Sequence, residues 1–187
     1  MMPTYGIMLL FVYTYFGVVY ADRFWQIVTP VLFFSFLAPG ILIYVLYKVG
    51  VISDLSLKVR KERFYPYIIT LLSYSIMLAF YTRMQMPSWF MMIIAASITI
   101  MVIAIVITLF WKISAHMFGI GGLIGGVMAI SYYIERSNPY VLFIILFLIA
   151  GLIGTSRLIL KRHTLAQVIA GFLLGFTVSF AFVKFGA

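Results

Sequence analysis

Charge is scarce in this chain, and where it falls divides the sequence into apolar runs long enough to cross a membrane. Only 9% of the 187 residues are charged and 65% are hydrophobic. A domain folding in water needs far more charge on its surface, so lipid is the solvent for most of this chain. A helix of about 17 to 25 apolar residues spans a bilayer core. Candidate spans are Thr4–Ala21, Phe24–Val49, Pro66–Thr82, Trp89–Trp111, Met117–Ile134, Tyr140–Thr155 and Thr164–Lys184. The expected fold class is therefore all-α, a polytopic transmembrane helix bundle of six to seven spans, in a single integral-membrane domain over 1–187. The N-terminus is apolar without the basic start of a signal peptide, so it reads as a first spanning helix. Only Asp22-Arg23 separates it from the second span, which predicts a tight hairpin, and Pro39-Gly40 predicts a kink.

Glycines at 119, 121, 122, 125, 126, 171 and 175 recur at spacings that put small residues on one helix face, the pattern of close helix packing. A phosphate-cradling loop is disfavoured there, because no P-loop lysine follows and the run continues as an apolar span.

The polar inventory excludes several chemistries. Without cysteine there are no disulfides and no thiol chemistry. The acids are Asp22, Asp54, Glu62 and Glu135, too scattered for a two-carboxylate glycosidase or a dense magnesium site. Two histidines without cysteine argue against structural zinc, and the lack of paired Asp-rich motifs argues against prenyl transfer. No metal or cofactor is expected. The net charge of +9 lies in short loops. It reads as membrane orientation and headgroup contact, or as a phosphate site, rather than as a nucleic-acid surface.

What remains is serine, histidine and basic residues, gathered at two helix starts. Ser114-Ala115-His116 precedes one span. Ser156-Arg157 ends another, and His163 heads the last. Counting crossings puts these segments and the basic stretch 52–65 on one face of the membrane, whether the first span is kept or dropped. Lys48, Lys58, Arg60, Lys61, Arg63, Lys112, Arg157, Lys161 and Arg162 share that face, against Arg23, Arg83, Arg136 and Lys184 opposite. The balance favours a cytoplasmic site by the positive-inside rule. Helix N-termini hold phosphate, arginine bonds it bidentately, and imidazoles attack phosphorus or protonate a leaving oxygen.

In the order of these motifs the chain resembles the phosphatidic acid phosphatase type 2 superfamily of integral-membrane lipid phosphatases, from about Lys58 to the C-terminus. That family's third motif is Ser-Arg, five residues, His, three residues, Asp. It is met at Ser156, Arg157 and His163, with Gln167 in the Asp position. The second, Pro-Ser-Gly-His, is met at Ser114 and His116. The first, Lys, six residues, Arg-Pro, is met at Lys58 and Pro66, with Tyr65 in the Arg position and Arg63 nearby. Two spans separate the first and second motifs here, where familiar members have a loop.

The resemblance implies His163 as nucleophile, His116 as acid for the leaving alcohol, and Arg157, Ser114, Lys58 and Arg63 as phosphate ligands. Gln167, one turn beyond His163, can orient its imidazole but supplies no negative charge. The function implied is metal-independent hydrolysis of a lipid phosphate or diphosphate through a phosphohistidine, at an extracytoplasmic site. Its partner is a membrane lipid with a phosphate headgroup. The alternative is a weak or inactive relative that binds or moves anionic lipids. A channel or transporter is disfavoured by the lack of charge inside the spans.

Overall fold

The computed structural model describes residues 2–53 and 64–187, and among them every regular element is helical. In chain order these are α1 Met2–Tyr13, α2 Phe16–Val19, α3 Phe24–Leu32, α4 Ala38–Lys48, α5 Phe64–Arg83, α6 Ser88–Phe110, α7 Ala115–Ala129, α8 Tyr140–Ile159 and α9 Leu165–Gly186. A 3-10 turn, Ala21–Arg23, leads into α3, a π-helical segment, Phe33–Leu37, joins α3 to α4, and another, Ile130–Ile134, extends α7. Among the described residues, six helical runs are long and apolar enough to cross a membrane: 21–48, 64–83, 88–110, 115–134, 140–159 and 165–186. The chain is an all-helical, multi-pass integral membrane protein.

Helices win because lipid leaves backbone N–H and C=O groups no partner but one another. Hydroxyls in the spans follow the same logic. Thr70, Ser75, Thr82, Ser97 and Thr99 each donate to the carbonyl four residues earlier. Large apolar side chains such as Phe185, Phe110, Val12 and Trp25 face outward, where the surroundings are hydrocarbon or the interface.

Two expectations need correction. The first segment does not form a spanning helix. α1 has 12 residues, about 18 Å, well short of a hydrocarbon core about 30 Å thick. It stops where Thr14 turns its hydroxyl onto the Leu10 carbonyl and Gly17 folds against the Phe11 backbone. The sixth span is longer than its apolar run. α8 continues to Ile159, so Ser156 and Arg157 lie inside its last turn, and the connection to α9 is 160–164. The expected disturbance at Pro39 appears one turn earlier, as the π segment. Proline gives no N–H and its ring crowds the carbonyl four residues back, here Ser35.

α7 is the most buried span and the centre of the bundle. It packs on α9 through its glycines. A side chain at Gly121 or Gly125 would collide with the carbonyls of Phe172 or Phe176, and one at Gly175 with that of Phe118. The register advances the same way along both helices, so α7 and α9 run parallel and begin at the same end of the bundle. α8 runs back between them in sequence, and its C-terminus returns to that end.

Candidate active site

The starts of α7 and α9 and the finish of α8 converge on a few small contacts. A side chain at Gly154 of α8 would stand 3.2 Å from Val168 of α9 and 3.7 Å from Met117 of α7. One at Gly171 of α9 would stand 3.0 Å from the Ser114 carbonyl and 3.2 Å from Met117 Cβ. With Met117, Gly154 and Val168 at one level, Ser114 and Arg157 each lie three residues further toward the end of the bundle, about 4.5 Å at the helical rise. His163 lies five residues beyond Val168, roughly 7 Å or more along the same direction. His116 lies between Met117 and Ser114, within electrostatic reach of the Arg157 guanidinium. The structure thus brings Ser114, His116, Arg157, His163 and Gln167 to one end of three touching helices. Lys58 and Arg63 lie outside the described residues.

Two polar atoms at this end are buried without a hydrogen-bond partner, the Ser114 hydroxyl and Arg157 Nε. Ser114 is fully buried and holds the N-cap position of α7, with extended backbone that would let a serine cap its own helix, yet its hydroxyl makes no capping bond. Its carbonyl instead takes the N–H groups of Met117 and Phe118. A buried polar group left unpaired costs about 1–3 kcal/mol, and natural structures keep few of them. Two together, one a hydroxyl and one a guanidinium nitrogen, form a donor set suited to oxyanions. The motif serine Ser156 differs: its hydroxyl donates to the Ile153 carbonyl at 2.7 Å, within its own helix.

The turn from α8 to α9 is built for His163. Arg162 N–H bonds the Arg157 carbonyl and Lys161 N–H the Leu158 carbonyl, the paired bonds of a Schellman ending, with Lys161 left-handed at φ 50°. Thr164 then caps α9. Its hydroxyl accepts from Gln167 N–H at 3.4 Å, while Gln167 Oε1 accepts from Thr164 N–H at 3.2 Å. This is a capping box, legible in the sequence as Thr164-Leu165-Ala166-Gln167 and a second role for Gln167 besides the aspartate position of the motif. The box also decides a tautomer. Because the Thr164 N–H must meet an acceptor, the carbonyl oxygen of the amide is the atom that faces it. The same Oε1 lies 3.2 Å from His163 Nδ1. The bond places a proton on Nδ1, so that a neutral His163 has its lone pair on Nε2, the form an imidazole needs to attack through Nε2.

The model of the PAP2 superfamily matches residues 95–187. The match begins inside α6, covers α7, α8 and α9, and includes Ser114, His116, Arg157, His163 and Gln167. The match and the helical bundle together indicate a multi-pass membrane protein with a phosphatase-type fold. The chain belongs to the PAP2 superfamily. Comparisons with curated proteins and with solved structures returned no match.

Proposed function

We propose that this protein is a membrane-embedded phosphohydrolase that cleaves a lipid phosphate or diphosphate without a metal, using His163 as the nucleophile. The observation that carries the reading is the pair of buried, unpartnered donors, Ser114 Oγ and Arg157 Nε, at the same end of the bundle as a histidine whose Nδ1 is held by Gln167. A phosphoryl group held by those donors would relieve both of their deficits at once.

In this reading His163 Nε2 attacks phosphorus, and the bond from phosphorus to the lipid oxygen breaks. His116, as imidazolium, gives its proton to that oxygen, and the lipid alcohol leaves from a monoester or the lipid monophosphate from a diphosphate. The neutral His116 then takes a proton from water. The water oxygen attacks the phosphohistidine, phosphate departs and His163 is restored. Arg157 and Ser114 hold the equatorial oxygens, where charge is spread in the transition state. The family resemblance assigns Lys58 and Arg63 to the phosphate as well. Substrates are phosphate monoesters or diphosphates on a lipid tail.

The test is phosphate release by purified protein from a panel of lipid phosphates with EDTA present. The expected result is turnover in the wild type and none in His163→Ala. Wild-type activity in His163→Ala would rule out the assigned nucleophile. Gln167 favours a second reading, a relative that binds anionic lipids and does not turn them over, because the amide brings no charge to His163. That reading predicts phosphate-lipid binding with no release from any substrate in the panel.

A further inference from the structure

A cavity of about 400 Å³ opens beside the site and runs down the inner face of α7. Ala115, the residue between Ser114 and His116, stands in its wall, and Phe118, Gly122, Gly126 and Ile130 continue that wall. From Ala115 to Ile130 the helix rises roughly 22 Å. The opposite wall comes from elements ahead of the family-matched stretch: Gly6 of α1, Phe36 of the π segment, Gly40 of α4 and Thr70 of α5. Phe36 and Gly40 are exposed, so this side of the cavity meets the bilayer.

The wall is mostly apolar, and several of its hydroxyls are spent within the protein. Thr70 and Ser97 donate to the carbonyls of Pro66 and Ile93, and Ser35 is bonded to Thr4. Tyr67, Tyr74 and Ser179 also reach the wall, which is otherwise made of apolar side chains and glycines. The volume lies within the range of ligand pockets, about 300–1,000 Å³. A cavity of about 150 Å³ holds the six carbons of benzene, so this one holds on the order of 16 carbons. One lipid tail fits that space and two do not.

We infer that this cavity is a tail chamber for a single hydrocarbon chain, and that the protein selects single-chain lipid phosphates over diacyl ones. The inference rests on the proposed phosphate site, because the chamber ends at Ala115 and a tail seated in it delivers its headgroup to Ser114 and His116. The N-terminal elements, α1 to α5, then act as the tail-selecting half of the molecule. Tail selection here is a matter of shape. A chain leaving the bilayer gains little from hydrophobicity, because lipid is already apolar. It gains the dispersion contacts of a void that closes around it.

The experiment fills the chamber. A Cβ at Gly40 meets nothing within 4 Å, and one at Gly126 meets only Ser179 Cβ at 4.0 Å, so both positions accept a larger side chain. Gly126→Leu and Gly40→Phe are compared with Gly151→Leu, on α8 away from the chamber, where a Cβ also meets nothing within 4 Å. Binding of hexadecyl phosphate, butyl phosphate and dipalmitoyl phosphatidate is measured by native mass spectrometry, and phosphate release is followed in parallel. The expected results are tighter wild-type binding of hexadecyl phosphate than of dipalmitoyl phosphatidate and an approximately tenfold loss of hexadecyl phosphate binding in both filled variants. The loss should be smaller for butyl phosphate and absent in Gly151→Leu. Unchanged hexadecyl phosphate binding in both filled variants overturns the chamber, whatever the turnover. Equal wild-type binding of the diacyl lipid overturns the selectivity. Loss of binding in the filled variants without turnover in any protein upholds the chamber and removes the hydrolase reading instead.

Discussion

Replacing Gln167 by glutamate isolates what its side chain does for His163. The amide oxygen accepts from Thr164 N–H and from His163 Nδ1–H, each at 3.2 Å. Glutamate has the same length and accepts in the same places, so Gln167→Glu changes charge and little else. A hydrogen bond between neutral groups contributes about 0.5–1.5 kcal/mol and one to a charged group about 1.5–3 kcal/mol. Thr164 and its end of the capping box are exposed, so solvent screening keeps the gain at the low end, about 1 kcal/mol. When Nε2 attacks phosphorus the ring acquires positive charge while Nδ1 keeps its proton. The carboxylate therefore helps the transition state more than the resting enzyme, and the gain appears in kcat. At 1.36 kcal/mol per factor of ten, kcat should rise ~5-fold. A carboxylate in the first turn of α9 also favours the helix dipole by about 0.3–1 kcal/mol, so Tm should not fall. Gln167→Ala should lose kcat by a similar factor and weaken the cap by about 0.5–1 kcal/mol. The assay is phosphate release from a lipid phosphate in detergent, with Tm followed for each protein. A folded Gln167→Glu with unchanged kcat, beside an undiminished Gln167→Ala, would refute the orienting role.

Three other substitutions separate structure from chemistry. Ser114→Ala removes a buried hydroxyl with no partner, so Tm should hold or rise, while kcat/KM falls about tenfold for loss of one phosphate bond worth about 1–1.5 kcal/mol. A fall in both would mark the hydroxyl as structural. Gly125→Val puts side chain into the Phe176 carbonyl, and size-exclusion chromatography should show loss of the monodisperse folded protein, since overpacking of 1–3 kcal/mol or more has nowhere to relax. Lys161→Gly relieves the left-handed backbone at φ 50° and should raise the unfolding free energy by about 1 kcal/mol, read as a higher Tm with kcat unchanged.

The sequence carried the bundle and the site further than it carried the boundaries. Apolar runs between charges locate the six spanning helices, because lipid imposes the same requirement on every one of them. The glycine spacing on α7 and α9 announces close packing before any contact is seen. Ser114, His116, Arg157 and His163 stand out because polar residues are so few. Ser156 and Arg157 were legible as the end of a span, but α8 runs two residues past them to Ile159, because a helix at a membrane interface tolerates polar residues in its last turn. The N-terminal segment misled by composition alone. Its apolar count suits a span, yet Thr14 and Gly17 let the chain turn back on itself. The chamber was invisible to any linear reading, since its walls join Gly6, Gly40 and Gly126, residues with no relation along the chain. The unpartnered state of Ser114 Oγ was equally out of reach, because it depends on what the fold fails to bring near.

The seam between α7 and α9 has a mechanical consequence. Where side chains meet, helices slide by exchanging rotamers. Where Gly121, Gly125 and Gly175 set backbone against backbone, there is no rotamer to exchange. The two helices are keyed together like the teeth of a rack, and a shift of one past the other must be a whole residue step or none. The segment leading to His116 and the segment leading to His163 are thereby mounted on one stiff beam. On the proposed reading, the opening that lets a lipid tail in falls to α1, α4 and α5, away from this beam, and leaves the spacing of His116 and His163 untouched.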